Sequence, residues 1–392
     1  MKKALSSISM LTLLFLLALT LTACGNNSDQ AQDPTDPETA DEGTSGLPLP
    51  EIDHWLVITD SIGVELGDSN LVFAQIVGTQ FLPDGNIAVA DMMKNKISIF
   101  SPDGEYITAV GREGSGPGEY LMLSTFAVTE EGGFIVPDAM GGKLNFYDPE
   151  YNFTDAMTGF FPTPPIMISP VDGGFVGLKP EFEQTEDEMQ TGMGIYLWTD
   201  SAAHTVEYVR NMILFDINDL GATVKTMVFF DTDQNDNVLL APYSTEEYKI
   251  TSLSPDGEEI WQISEDFPRV RKTTEEIEEE RELIRSRMIA SGAPAAMAEN
   301  FQLEEYKVFI GQLEIDNRNR VWVLIGLYDS AVYRVYDCDT GDFLFSAALR
   351  ADEAHEDVLP VISDYGIMGF NADSDEWPRV YIIQPEDPAL FD

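Results

Sequence analysis

The chain has 392 residues, with 69 Asp and Glu against 22 Lys and Arg and a formal net charge of −47. Such a surface repels nucleic-acid phosphates, and no basic stripe offsets it, so nucleic acid is excluded as a partner. Acidic side chains keep a protein soluble and their repulsion is screened by salt, which fits a saline habitat; calcium loading is the competing account.

Residues 1–23 have the make-up of a signal peptide. Lys2 and Lys3 give a positive start, and the apolar run at 11–21 is too short and wrongly flanked for a stable transmembrane helix. The run ends in Leu21-Thr22-Ala23-Cys24, which resembles the lipobox of bacterial lipoproteins. The resemblance implies cleavage before Cys24 and acylation there. It also implies an extracytoplasmic protein anchored in the membrane of a bacterial cell envelope, facing the periplasm or the cell surface. Two or three acyl chains anchor durably where one binds only marginally. Cleavage removes two lysines and no acid, taking the net charge from −47 to −49. Residues 24–50 read as the lipidated cysteine and a disordered tether, having almost nothing to bury. With Cys24 acylated, Cys338 is the remaining cysteine and no intramolecular disulfide forms.

Residues 51–392 read as one all-β domain. The stretch 54–66 is an isolated strand signal. Residues 80–120 then form a unit: a turn at Asp84-Gly85, and a half-buried strand from the period-two spacing of Ile87, Val89 and Met92. A second strand pair holds Ile97, Ile99 and Val110 around the hairpin Ser101-Pro102-Asp103-Gly104. The hairpin phrase recurs at 143–157, 196–209, 248–263 and 332–347. The phrase before it recurs at 130–138, 171–179, 234–242 and 317–325. Five copies, each about four strands long and spaced by roughly 40 to 80 residues, are what a β-propeller needs. A sixth copy is split: strands at 366–370 and 379–383 flank a turn at 371–376, and no outer strand follows. The strand at 54–66 is expected to complete that blade and close the ring, removing exposed edges.

Two interruptions stand out. Residues 180–193 form an expected acidic loop in blade three, and residues 273–307 a helical insertion between blades four and five. Thr273 and Glu276 fit a capping box, acids crowd the first turns, and Arg281, Arg285 and Arg287 complement the helix dipole. Gly292 and Pro294 stop this helix, and a second is expected over 295–307. The insertion would sit over one face of the ring as a lid, a docking element or a cover for a blade edge.

The repeats resemble those of NHL-type six-bladed propellers, and GREGSGPGEY at 111–120 resembles the G-x-G-P-G-E-[FY] link of bacterial six-bladed propeller lipoproteins. The resemblance covers residues 54–383. It implies a six-bladed β-propeller and says little of activity, because that fold hosts binders and enzymes alike.

Motifs for chemistry are sparse. Asp231, Asp233, Asn235 and Asp236 begin like a calcium loop, but an EF-hand needs Gly at the sixth position and Glu at the twelfth, where Asp236 and Pro242 stand; a blade turn is the reading. The triple Gly114, Gly116, Gly118 lacks the βαβ setting of a phosphate cradle and reads as an inter-blade turn with Arg112 and Glu119 paired. His54, His204 and His355 fall in an edge strand, a hairpin turn and a loop, so a zinc site is not expected. Lactonase-type propellers hold calcium in the central channel; by that resemblance Asp91 and Asp138, which end comparable inner strands, are the metal candidates. Lys179 and Pro242 at the like positions keep the ring from being uniformly acidic. The expectation is a lipid-anchored binding or scaffold module for a peptide, glycan or protein, with no required cofactor. The alternative is a calcium-dependent hydrolase or lactonase.

Overall fold

The computed structural model describes residues 47–185, 188–290, 297, 299–351, 355, 358–371 and 377–390. Cys24, the expected signal peptide, most of the expected tether and residues 372–376 of the expected turn lie outside the described residues. After β1 (His54–Ile62), the chain builds blade one from β2 (Ile76–Phe81), β3 (Ile87–Asp91), β4 (Lys96–Phe100) and β5 (Tyr106–Val110). Blade two is β6 (Ala127–Val128), β7 (Phe134–Asp138), β8 (Lys143–Tyr147) and β9 (Phe153–Thr158). Blade three is β10 (Met167–Val171), β11 (Gly174–Gln184), β12 (Met189–Trp198) and β13 (Val206–Leu214). Blade four is β14 (Val228–Thr232), β15 (Val238–Pro242), β16 (Tyr248–Leu253) and β17 (Glu259–Glu265). Blade five is β18 (Ile310–Asp316), β19 (Arg320–Ile325), β20 (Val332–Asp337) and β21 (Phe343–Leu349); blade six has β22 (Val358–Ser363), β23 (Gly366–Asn371) and β24 (Val380–Pro385).

The strand β1 supplies blade six with its fourth member. It runs antiparallel to β24, with Leu56 opposite Pro385 and Ile62 opposite Val380. Its first three residues also pair in parallel with β21 of blade five, so the last two blades form one eight-stranded sheet. The ring therefore closes through the N-terminal strand, as the sequence predicts. Leu47, placed by the sequence in the tether, donates its N–H to Leu327 O at 3.1 Å and packs on blades four and five.

Hairpin chemistry follows the expected turns. Gly104 adopts φ +77° and returns its N–H to Ser101 O at 2.9 Å. The second strands depart from expectation. Every residue of β3 is buried, not every other one. Ala88 and Ala90 pack toward blade two, while Ile87 and Val89 pack toward blade six. Alternation survives as a choice of neighbour, since a blade has another blade on each face.

Two further expectations are corrected. Residues 180–193 are no loop: β11 and β12 continue past the blade as a long antiparallel arm, with Glu181 opposite Gly192 and Gln184 opposite Met189. In the insertion α1 (Thr274–Ala290) forms as expected, with the capping box formed as Thr273 N to Glu276 Oε2 at 2.7 Å and Glu276 N to Thr273 Oγ1 at 3.2 Å. Of the second helix expected over 295–307, residues 301–307 are not helical. They return as extended chain, with Lys272 N bonded to Glu305 O and Lys307 N to Val270 O, both at 2.8 Å. Residues 291–296, which hold Gly292 and Pro294, lie outside the described residues.

Candidate functional site

Up-and-down connectivity puts the loop entering each first strand, and the turn between each second and third strand, on one face of the ring. This insertion face carries α1 and the arm of blade three. One apolar cluster joins Ile284 and Met288 of α1 to Met193 of the arm, to Leu220 and Val224 of a short 3-10 helix (Leu220–Thr226), and to Val228 and Phe230 of β14. The helix thus packs toward the inner strands instead of covering a blade's outer edge. Buried ion pairs fix its base: Lys272 to Glu280 at 2.5 Å, and Lys307 to Glu276 at 2.7 Å and to Asp329 at 2.8 Å. Arg281 and Arg285 pair with Glu278 and Glu282 one turn back. These contacts seat α1 as a cap on blade four.

Around that cap, loops of blades one to three expose apolar side chains. Leu66, Met93, Leu121, Met140, Phe161 and Ile289 all lie on the insertion face, with Leu214 and Ile217 where blade three ends. These eight are among fourteen exposed large hydrophobic residues in the described chain. Phe161 is 76% exposed and Met93 68%. Eight exposed apolar side chains thus share one face of the ring.

The opposite end of the axis is polar. The first strand of each blade is innermost, and its free edge presents backbone N–H groups to the channel. Asp231 of β14 reaches two neighbouring blades: its carboxylate accepts from Ser169 Oγ of blade three at 2.7 Å and from Ile315 N of blade five at 2.9 Å. Glu314 of β18 accepts from Ile362 N of blade six at 2.7 Å. Two carboxylates therefore lace four consecutive blades together around the axis. Burial raises both carboxyls above the ordinary range, Glu314 to about 8, and the Asp231 charge pushes Glu314 further up against its hydrogen bonds. Asp364, at the turn after β22, is raised to about 6 by burial and by the charges of Asp231, Asp316 and Glu130.

The sequence candidates fall elsewhere. Asp91 is fully buried, and its carboxylate accepts from Ala74 N at 2.8 Å, Gln75 N at 3.2 Å and Lys94 N at 3.3 Å. Asp138 accepts from Leu121, Met122 and Gly141 N–H groups, each at 3.0 Å, with Lys143 Nζ 3.9 Å away. Each pins the loop entering its own blade; the three bonds to Asp138 all fall on Oδ1, and its Oδ2 has no hydrogen-bond partner. No group of three or more His, Cys, Asp or Glu among the described residues is arranged to hold a metal. In the stretch 231–237 it is Asp233 that forms the turn, accepting from Asn235 N and Asn237 N, while Asp231 turns to the axis. Sequence reasoning met Asp231 and read it only as part of that turn. Glu314 carried no local signal.

The glycine-rich link is structural. Glu119 pairs with Arg112 at 2.7 Å and accepts from Gly116 N at 2.8 Å, which depresses its carboxyl. Lys143 and Tyr147 of β8 bind the link carbonyls of Gly116 and Gly118. The histidines are ring neighbours of Phe345, Tyr196 and Tyr381. Cys338 is buried, and burial pushes its thiol well up, so it is no nucleophile.

These features define a six-bladed β-propeller with a capped face and a polar axis. Residues 67–171 match the model of a family described as a 6-bladed beta-propeller (DUF5128). No curated protein matches the sequence. Among solved structures, the chain is similar to a DUF4221 family member from Bacteroides vulgatus at 9% identity, TM-score 0.48, covering 85% of this chain and 98% of that one. A candidate exported protein from Bacteroides fragilis matches at 12% identity, TM-score 0.47, over 85% and 96%. Virginiamycin B lyase from Staphylococcus aureus matches at 10% identity, TM-score 0.41, over 85% and 99%.

Proposed function

We propose that this protein is a lipid-anchored binding module of a bacterial cell envelope, tethered through Cys24 and presenting the insertion face of its propeller to a peptide, glycan or protein partner. The observation that carries the reading is the apolar crown around α1. Burying it on a partner yields about 25 cal/mol per Å² of apolar surface, and the strongly acidic remainder of the surface keeps the unbound protein soluble. The lipobox resemblance at residues 21–24 supports the anchor. No described helix is long and apolar enough to cross a membrane. Phe161→Glu combined with Met140→Glu is expected to abolish partner capture while leaving the melting temperature unchanged; capture that survives the pair refutes the reading. Cys24→Ser should abolish palmitate labelling and release the chain from the membrane fraction.

A hydrolase reading stays second, favoured by the raised carboxyls of Glu314 and Asp364 on the axis, since perturbed acids in a cleft are candidates for proton transfer. Calcium titration calorimetry on residues 51–392 separates the two. One stoichiometric tight site that raises the melting temperature supports the metal-dependent enzyme; weak, salt-like heats leave the binding module.

A further inference from the structure

The arm of blade three carries a sheet edge that no described strand covers. The pairing of β10 with β11 ends at Leu178, opposite Met167, while β11 runs on to Gln184 along β12. The hairpin fixes which way each backbone group points. The two-residue turn at Asp172-Gly173 makes Val171 and Gly174 a hydrogen-bonded pair, so the even-numbered residues of β11 turn their N–H and C=O groups toward β10. Leu178 O accordingly accepts from Ile166 N at 2.8 Å. Past Leu178 the same parity aims Pro180, Phe182 and Gln184 at the open side, which faces the axis because β10 is the innermost strand of its blade. Pro180 has no N–H to give and is tolerated at such an edge. Phe182 and Gln184 each keep a donor and an acceptor there.

The two faces of the arm differ. Leu178 lies opposite Ile195 and Pro180 opposite Met193, and Leu178, Met193 and Ile195 belong to the apolar cluster shared with α1. The other face bears Lys179 and Glu181, 2.9 Å apart, and Glu183 paired with Arg210. Residues 180–193 hold five acids and no base. Two copies of this edge set side by side would bring glutamates together, which disfavours self-pairing.

We infer that the free edge of β11 takes an extended, basic peptide as an added strand, its alternate side chains apolar on the α1 side and cationic on the glutamate side. Main-chain hydrogen bonds to Phe182 and Gln184 supply the attachment, and the alternation of side chains supplies the selection. This strand addition rests on the insertion face being a binding surface, and it commits the partner to a main-chain ladder, which a glycan cannot form.

The probe is a capped decapeptide of alternating valine and lysine. Its affinity is measured by fluorescence anisotropy, in about 0.15 M salt to screen long-range attraction, on the chain from residue 25 onward, which contains every described residue. Phe182→Pro with Gln184→Pro deletes both outward N–H groups. It is expected to weaken binding about tenfold relative to Phe182→Ala with Gln184→Ala, which loses the same side chains and keeps the donors. On the unaltered chain, N-methylation of one set of alternate peptide residues should abolish binding and methylation of the other set should not, since a strand turns alternate N–H groups to opposite edges. No binding of the unmodified decapeptide, equal affinities of the proline and alanine pairs, or equal effects of the two methylation sets overturns the proposal. Equal binding of a block peptide, five valines then five lysines, also overturns it, because charge alone then suffices. Binding lost in Phe161→Glu with Met140→Glu yet unchanged in the proline pair refutes the added strand and leaves the apolar crown as the binding surface. A dimer of the parent chain that the proline pair dissociates overturns the proposal in favour of edge pairing between copies.

Discussion

Replacing Glu314 by Gln should make the protein more stable, and only above a defined pH. The side chain keeps its length and an oxygen to accept from Ile362 N, so the link between blades five and six survives. What changes is the charge. The carboxyl titrates at 4.5 in an ordinary setting and at about 8 in the fold. Below the lower value both folded and unfolded chains hold the proton and the residue costs nothing. Between the two values the unfolded chain ionises while the folded chain retains its proton, so stability falls as pH rises. Above the upper value the loss is complete. A shift of that size corresponds to roughly 4 to 5 kcal/mol at full ionisation. Urea unfolding of both proteins from about pH 4 to about pH 9, in an amine-free buffer, measures the difference directly. The account expects no difference at the acid end, a gap that opens through neutrality, and a plateau above about pH 8. A gap independent of pH, or a Gln variant less stable than the parent at the alkaline end, refutes the reasoning.

Four other substitutions probe the frame. Gly111→Ala should cost more than about 3 kcal/mol or abolish folding, because Gly111 sits at φ +79° and a Cβ would lie 1.9 Å from the Tyr120 ring; Gly142→Ala, at φ +63° with open space, should cost only about 1 kcal/mol by the same unfolding assay. Lys307→Met strips the buried Glu276, in the first turn of α1, of its cation and should lose roughly 3 to 5 kcal/mol, with protease sensitivity appearing first in the insertion. Leu56→Ala empties a fully buried position in the strand that closes the ring and should cost about 3 kcal/mol in calorimetry.

The blade repeats were legible because turn chemistry is local. Ser101-Pro102-Asp103-Gly104 specifies its hairpin whatever surrounds it, and the unpaired strand at the N-terminus had one open edge to fill. The Thr273–Glu276 box was legible for the same reason. The arm at 180–193 was not, since its acidic composition resembles a loop and only pairing across β11 and β12 makes it strand. The full burial of β3 was hidden because alternation reports which way side chains point, not whether a second blade waits on the far side. The axial carboxylates were hidden most deeply. Asp231 and Glu314 stand 83 positions apart and meet only because β14 and β18 are neighbours around the ring, while Asp91 and Asp138, more conspicuous in sequence, accept from the N–H groups of entry loops.

The most direct test of the binding role is photocrosslinking in intact cells, with a photoreactive residue placed at Phe161 or Met140 on the crown and, as controls, at Ile107 or Ile260 on outer strands. The account predicts a discrete crosslinked product from both crown positions and none from the outer-strand positions. Crosslinks of equal yield from all four, or from the outer strands alone, would contradict it.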